Sequence, residues 1–306
     1  MERGGAATVT NMLSPRSLAV ASATVAAGAC ALLNLWRPQL RQPRQSCTPS
    51  PAGTIFIVGL GYSGSRIAKD LVARHWRVVG TVRTAEAAAR LRAQLGGVEV
   101  LVFDGSTAPG RAAAATAALG RATHLLLTAQ PSDGGDPVLC NPALREAVAS
   151  APRLVWVGYL SSVGVYGDCG GQAVDELRSP NPKTTRGKRR LKAEEQWRAA
   201  RLPPGTTLQI FRLPGIYGPG RGPIEKVRSG TARCLVKAEQ LFSRIHVDDI
   251  ALVVRAAATL AAAPALPGAA RIGSNGSRGP RVDVFNTVDN EPAPAHEVRL
   301  ISSRSI

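Results

Sequence analysis

Thr54-Ile55-Phe56-Ile57-Val58 runs straight into Gly59-Leu60-Gly61-Tyr62-Ser63-Gly64, and this junction decides how the chain is read. Five β-branched and aromatic residues form a strand signal. The glycines follow as G-x-G-x-x-G. From Ser65 to Arg74 the apolar positions Ile67, Ala68, Leu71 and Val72 recur at helical spacing. A phosphate can rest on a helix N-terminus only if the preceding backbone turns tightly and keeps Cβ atoms out of the way. Gly59 would make that turn, Gly61 would let a pyrophosphate approach, and Gly64 would let the helix pack on its strand. The glycines alone could be a plain tight turn. Placed between a strand and a helix, they point to a dinucleotide site.

Working outward from Gly53, strand and helix patterns alternate. Strands are predicted at Trp76–Thr81, Val98–Val102, His124–Thr128, Leu154–Tyr159, Thr206–Phe211 and Val282–Thr287. Helices are predicted at Ala85–Leu95, with Thr84 as its cap, and at Ala112–Leu119, Pro142–Ser150, Arg186–Ala200 and Val247–Leu260. Alternation of this kind means βαβ units, and so an α/β fold with a doubly wound parallel (Rossmann) sheet that binds its ligand beyond the carboxyl ends of the strands. Leu266–Pro280 reads as a Gly/Ser/Pro-rich loop.

The chain has 306 residues, enough for a substantial core. Five scattered cysteines, none in C-x-x-C, fit a reducing compartment without a zinc site or disulfide framework. The net charge of +17 raises the question of nucleic acid. Only six of the 38 basic residues are lysine, the arginines are spread along the chain, and aromatic content is 4%. That pattern argues against nucleic acid and suits a small anionic partner equally well. The one dense basic cluster is Arg186 to Lys192. Residues 1–52 stand apart, with five arginines against a single acid, Glu2. They read as an organellar transit peptide, plastid or mitochondrial. A secretory signal is an alternative. So is a membrane anchor, if the uncharged run 18–36 is retained, although it is barely long enough to span a bilayer.

An NAD site usually places an acid at the end of the second strand, where it accepts from the adenosine 2′-hydroxyl. Here Val78-Val79-Gly80-Thr81-Val82-Arg83-Thr84 has none. Arg83, whose guanidinium fork suits a 2′-phosphate, favours NADP over NAD, with NAD still open. The plain alternative is a surface arginine in an arginine-rich chain.

Five segments together resemble the extended short-chain dehydrogenase/reductase family, of the NAD-dependent epimerase/dehydratase type. They are the glycine turn, Ser161-Ser162-Val163-Gly164-Val165-Tyr166-Gly167, Arg212 to Gly220 with its Tyr217-Gly218-Pro219-Gly220, Ile245-His246-Val247-Asp248-Asp249, and Val284-Phe285-Asn286-Thr287-Val288-Asp289. They occur in the family's order over about residues 54–292. The resemblance implies that Gly59, Tyr62, Ser63 and Gly64 hold the pyrophosphate, that Asp104 contacts adenine, and that Ala129 lines the cofactor. It also implies that Ser162 orients the substrate, that Pro214 and Gly215 border the nicotinamide, and that His246 and Asp249 are structural. A small substrate lobe would come from about 214–246 and 290–306, and its stop at Ile306 is earlier than the family leads one to expect.

One departure is chemical. The family's Y-x-x-x-K-x-x-x-E helix places Arg186 on the tyrosine and Arg190 on the lysine. Arginine does not deprotonate and cannot serve as acid or base. Arg190 could still donate to the ribose, and Arg186 could bind an anionic group of the substrate. Tyr166 is the best substitute proton donor, against a plainer role in packing. Two functions follow: an NADP-dependent oxidoreductase or epimerase on a small polar substrate, or a non-catalytic dinucleotide-binding redox sensor or assembly factor.

Overall fold

The computed structural model describes residues 52–106, 110, 112–231, 241–261, 281–290 and 292–294. Residues 1–51, all of 266–280, most of 290–306, and Cys30, Cys47 and Cys234 lie outside the described residues. So does the run 18–36. No helix among the described residues is long and apolar enough to cross a membrane.

Seven parallel strands form the main sheet: β1 (Thr54–Val58), β2 (Arg77–Val82), β3 (Val98–Val102), β4 (His124–Leu127), β5 (Trp156–Ser162), β6 (Thr207–Leu213) and, last in the chain, Arg281–Asn286. Before that last strand come the short strands β7 (Gly215–Tyr217), β8 (Leu241–Phe242) and β9 (Arg244–His246), so Arg281–Asn286 is β10; β11 is Ala293–Pro294. The helices are α1 (Tyr62–Val72), α2 (Ala85–Gln94), α3 (Ala113–Arg121), α4 (Pro137–Cys140), α5 (Pro142–Ala149), α6 (Thr185–Ala199), α7 (Pro223–Arg228) and α8 (Val247–Leu260). The main sheet runs β10-β6-β5-β4-β1-β2-β3. The winding direction reverses between β1 and β4, and a crevice opens there beyond the carboxyl ends of both strands.

β1 shows why both faces must be covered. Its side chains alternate, so Ile55 and Ile57 enter one core with Ile67 and Leu71 of α1 and Ile250 and Val254 of α8. Phe56 and Val58 enter the other, with Leu119 of α3, Leu144 of α5 and Trp197 of α6. A strand buried on both sides needs a continuous apolar run, which is what 54–58 provides. β5 and β6 run further than their apolar patterns predict, because the ladder between them continues to Ser162↔Leu213. Outside this sheet, β7 pairs with β9 in parallel, β8 with β11 antiparallel, and α7 lies between β7 and β8 in sequence. Thr84 caps α2 as its sequence predicts, accepting from the Ala87 N–H.

Two buried ionisable groups oppose each other in their effect on stability. Asp136, 1% exposed, caps α4 by accepting from the Val138 N–H. Burial raises its carboxyl to about 6. His124 on β4 packs edge-on to Trp76, and burial lowers it to about 4 against a weaker upward pull from the Ala258 carbonyl. A carboxyl whose folded value is raised contributes stability at low pH that is lost as pH rises through about 6. A histidine whose folded value is depressed contributes stability above about 6.5 that is lost as pH falls through about 4. Asp136→Asn keeps the cap and removes the first effect. Its stability relative to the unsubstituted protein is therefore expected to improve by roughly 3 kcal/mol between pH 4 and pH 7. Denaturant unfolding of both proteins at pH 4, 5.5 and 7 checks this, and a difference that does not vary with pH would refute it.

Candidate dinucleotide-binding site

The turn after β1 is pinned from two sides. The Gly59 N–H donates to Thr81 Oγ1 at 3.0 Å and the Leu60 N–H to the Thr81 carbonyl at 2.7 Å. Thr128 Oγ1 donates to the Gly59 carbonyl. Gly59 has φ +107°, in the region that favours glycine. A Cβ on Gly64 would stand 2.2 Å from the Gly59 carbonyl oxygen, so only glycine lets α1 press this closely on the turn. A Cβ on Gly61 would meet nothing within 4 Å. The turn therefore exposes bare backbone to open space at Gly61 and nowhere else in the motif.

Gly61 is also the N-cap of α1, which has no side-chain cap and no acid in its first turn. Helix geometry leaves the Tyr62, Ser63 and Gly64 amides without intrahelical acceptors, and the helix dipole favours an anion there. These residues line a cleft of about 700 Å³ at the β1/β4 switch point. A diphosphate fits this cradle in space and in charge.

The cleft gathers Gly59, Gly61, Tyr62, Ser63, Gly64, Arg83, Asp104, Ala129 and Arg190. Arg83 is exposed at the end of β2 and has no ion pair among the described residues. Asp104 caps the turn after β3, accepting from the Ser106 N–H at 2.8 Å. Tyr62 turns its hydroxyl to the Pro219 carbonyl at 3.2 Å. Burial raises this phenol above its usual range, the neighbouring Arg221 drawing it partly back.

Arg190 is held differently from the sequence expectation. Its Nη1 donates to the carbonyls of Leu160, at 2.7 Å, and Ala129, at 3.3 Å, and to the Tyr159 hydroxyl at 3.2 Å. This nitrogen joins the ends of β4 and β5 as part of the cleft floor and is not left for a ribose hydroxyl. Burial pushes the Tyr159 phenol above its usual range, with Arg190 opposing.

Five expected residues are absent from the cleft lining: Ser162, Tyr166, Arg186, Pro214 and Gly215. Ser162 accepts from the Gly164 N–H at 3.1 Å and caps the short 3₁₀ turn Val163–Val165. Ser161 lines the cleft in its place. Tyr166 is 3% exposed; its hydroxyl donates to Asn286 Oδ1 at 2.8 Å, and the Arg212 guanidinium lies 4.7 Å from its ring centre. That position offers a substrate no access to the phenol, so the geometry argues against Tyr166 as proton donor. Pro214 falls between Leu213 and Ile216, which do line the cleft. Arg186 is exposed at the start of α6 and also lies outside the lining. Much of the basic cluster is bound within the fold: Arg189 pairs with the Asp133 carboxylate at 2.6 and 2.8 Å, and Lys192 Nζ donates to the Asp133 carbonyl at 2.6 Å.

Sequence reasoning passed over Thr81, Thr128, Ser161 and Arg221. It also passed over a buried network behind the cleft wall. Glu194 is fully buried and takes both Nε and Nη2 of Arg212, at 3.2 and 2.8 Å, while Ser161 Oγ donates to the same carboxylate at 2.5 Å. The four-residue rhythm Arg186, Arg190, Glu194, Arg198 puts these groups on one helix stripe. That was a usable signal, since a single acid among arginines on a sheet-facing stripe calls for a buried partner.

The chain is 33% identical over 211 residues to Protein YeeZ of Escherichia coli K12, covering 64% of this chain and 69% of that one. A conserved protein of unknown function from Silicibacter pomeroyi superposes with a TM-score of 0.66 at 38% identity, over 83% of this chain and 78% of that one. A candidate NAD-dependent epimerase/dehydratase from Methylobacillus flagellatus gives a TM-score of 0.62 at 26% identity, over 83% and 82%. The chain belongs to the extended short-chain dehydrogenase/reductase family. No family-wide sequence model matches it. A UDP-glucuronic acid 4-epimerase from Bacillus cereus solved in complex with NAD shares the fold at 17% identity, with a TM-score of 0.62 over 82% of each chain. On α6 the chain carries Arg186 and Arg190 at the positions where the sequence resemblance set a tyrosine and a lysine.

Proposed function

We propose that this protein binds NADP(H) in the cleft at the β1/β4 switch point and acts as an oxidoreductase or epimerase of the epimerase/dehydratase type on a small polar substrate. The observation that carries this reading is Gly61, bare and facing open space at the uncapped start of α1, in a cleft that also holds Arg83. The bound nicotinamide would supply or accept the hydride. The chain's own part is to seat the diphosphate on the first-turn amides of α1, to offer Arg83 to a 2′-phosphate, and to fix the floor with Arg190. Solved relatives in complex with NAD and UDP-sugars share this fold, which supports a small-molecule substrate.

A second reading is favoured by one observation: among the described residues no tyrosine–lysine pair faces the cleft, Tyr166 being occupied elsewhere. On that reading the protein binds the dinucleotide without turnover, as a redox sensor or assembly factor. Fluorescence titration of the full chain with NADPH and NADH, followed by a panel of carbonyl substrates, separates the two. Net oxidation of the cofactor or conversion of the substrate supports the enzyme; binding with neither supports the sensor. Tyr166→Phe is expected to leave any turnover in place.

Cofactor preference has its own test. Arg83→Ala is expected to weaken NADPH about 10- to 100-fold, the loss of a charge-assisted contact to phosphate, with NADH changed less than threefold. Equal losses for the two cofactors would remove Arg83 from the 2′-phosphate.

A further inference from the structure

Arg221 belongs to neither the glycine turn nor the second-strand signal, yet it lines the same cleft. It ends the turn that leaves β7. Gly218 and Arg221 exchange two backbone hydrogen bonds, at 2.8 and 2.9 Å, and the Tyr62 hydroxyl ties Pro219 to the start of α1. Gly218 has φ +148°, and a Cβ there would lie 2.7 Å from both Tyr62 Oη and Val247 Cγ1. Only glycine allows the turn to sit this close. The Arg221 guanidinium then lies 5.1 Å from the centre of the Tyr62 ring.

Its charge is uncommitted. Arg221 forms no ion pair among the described residues, and the nearby Asp248 is engaged by Arg66. Glu225, in the first turn of α7, does not pair with it either. Stacking on an aromatic face holds a planar guanidinium while leaving its N–H edges available. Tyr62 is the first residue of α1, so the guanidinium lies beside the start of that helix, in the same cleft that its first-turn residues line.

We propose that Arg221 is a diphosphate clamp, by which the turn after β7 closes over the dinucleotide from the substrate-lobe side. The inference rests on the dinucleotide reading above and deepens it. Helix amides would meet one side of the diphosphate and a stacked guanidinium fork the other, leaving neither phosphate with only water on its outer face.

The test uses the full chain and isothermal titration with ADP-ribose, which carries the diphosphate but neither nicotinamide nor 2′-phosphate, alongside NADH and NADPH. Arg221→Ala is expected to weaken all three by a similar factor, about 10- to 100-fold. Arg221→Lys, with its charge but no fork to stack, should fall between the two. The melting temperature without ligand should not change. If Gly61→Val abolishes ADP-ribose binding while Arg221→Ala binds it normally, the clamp is overturned and the dinucleotide site stands. A loss confined to NADPH also overturns it, by moving Arg221 to the 2′-phosphate. If the unsubstituted protein binds none of the three, the clamp and the dinucleotide reading fall together.

Discussion

Glu194→Gln is expected to cost about 3–5 kcal/mol of folding stability, a large part of what a domain of this kind has. Glu194 is fully buried and Arg212 is 2% exposed. Their pairing is bidentate, with Ser161 donating to the same carboxylate and Arg198 3.9 Å away. Removing the negative charge leaves the Arg212 guanidinium buried without compensation, and the desolvation of that charge dominates the loss. The pair as a whole is worth far less than the loss of one partner, because two charges withdrawn from water roughly cancel their own attraction. The double variant Glu194→Gln/Arg212→Met should therefore recover most of the stability lost by the single one. Denaturant midpoints of the two proteins check both statements. A single variant within 1 kcal/mol of the original would mean that solvent reaches the pair.

The second large effect separates two glycines three residues apart. Gly61→Val is expected to abolish dinucleotide binding, with at least a 100-fold loss, and to leave the fold intact. Its Cβ meets nothing within 4 Å and its φ of −81° suits any residue, but the branched side chain fills the space where phosphate must approach backbone. Gly64→Val should fail at both levels. Its Cβ would lie 2.2 Å from the Gly59 carbonyl oxygen, a backbone atom that cannot move aside without opening the turn. Overpacking of this sort costs about 1–3 kcal/mol or more. Thermal melts paired with NADPH titration read the two variants side by side. Binding retained in Gly61→Val would place the ligand elsewhere in the cleft.

The parts of the fold legible in the sequence were those set by local pattern. The strands Thr54–Val58 and Val98–Val102 and the helix Val247–Leu260 have the same bounds in the structure as in the apolar periodicity. At the carboxyl ends of β5 and β6 a long-range contact makes the difference, the ladder between them carrying both strands past their apolar runs. Successive strand residues face opposite ways, so of the two serines Ser161 lines the cleft, with its hydroxyl turned to Glu194, while Ser162 caps the turn that follows β5. The V-Y-G segment was visible as a motif, but the burial of Tyr166 depends on Asn286, 120 residues away.

By itself the sequence determined the alternation of strands and helices, the three glycines, the missing acid at the end of β2, and on α6 the absence of a tyrosine and the arginine at 190. Each is a property of one short stretch, governed by side-chain period, allowed φ or the identity of one residue. Only the tertiary structure decided what those stretches meet. It tied Arg190 to three acceptors of the cleft floor, buried Glu194 against Arg212, and brought Arg221 from the turn after β7 onto the first residue of α1. These meetings depend on sheet order and on closure of the chain across tens to more than a hundred residues, and no local periodicity encodes that distance.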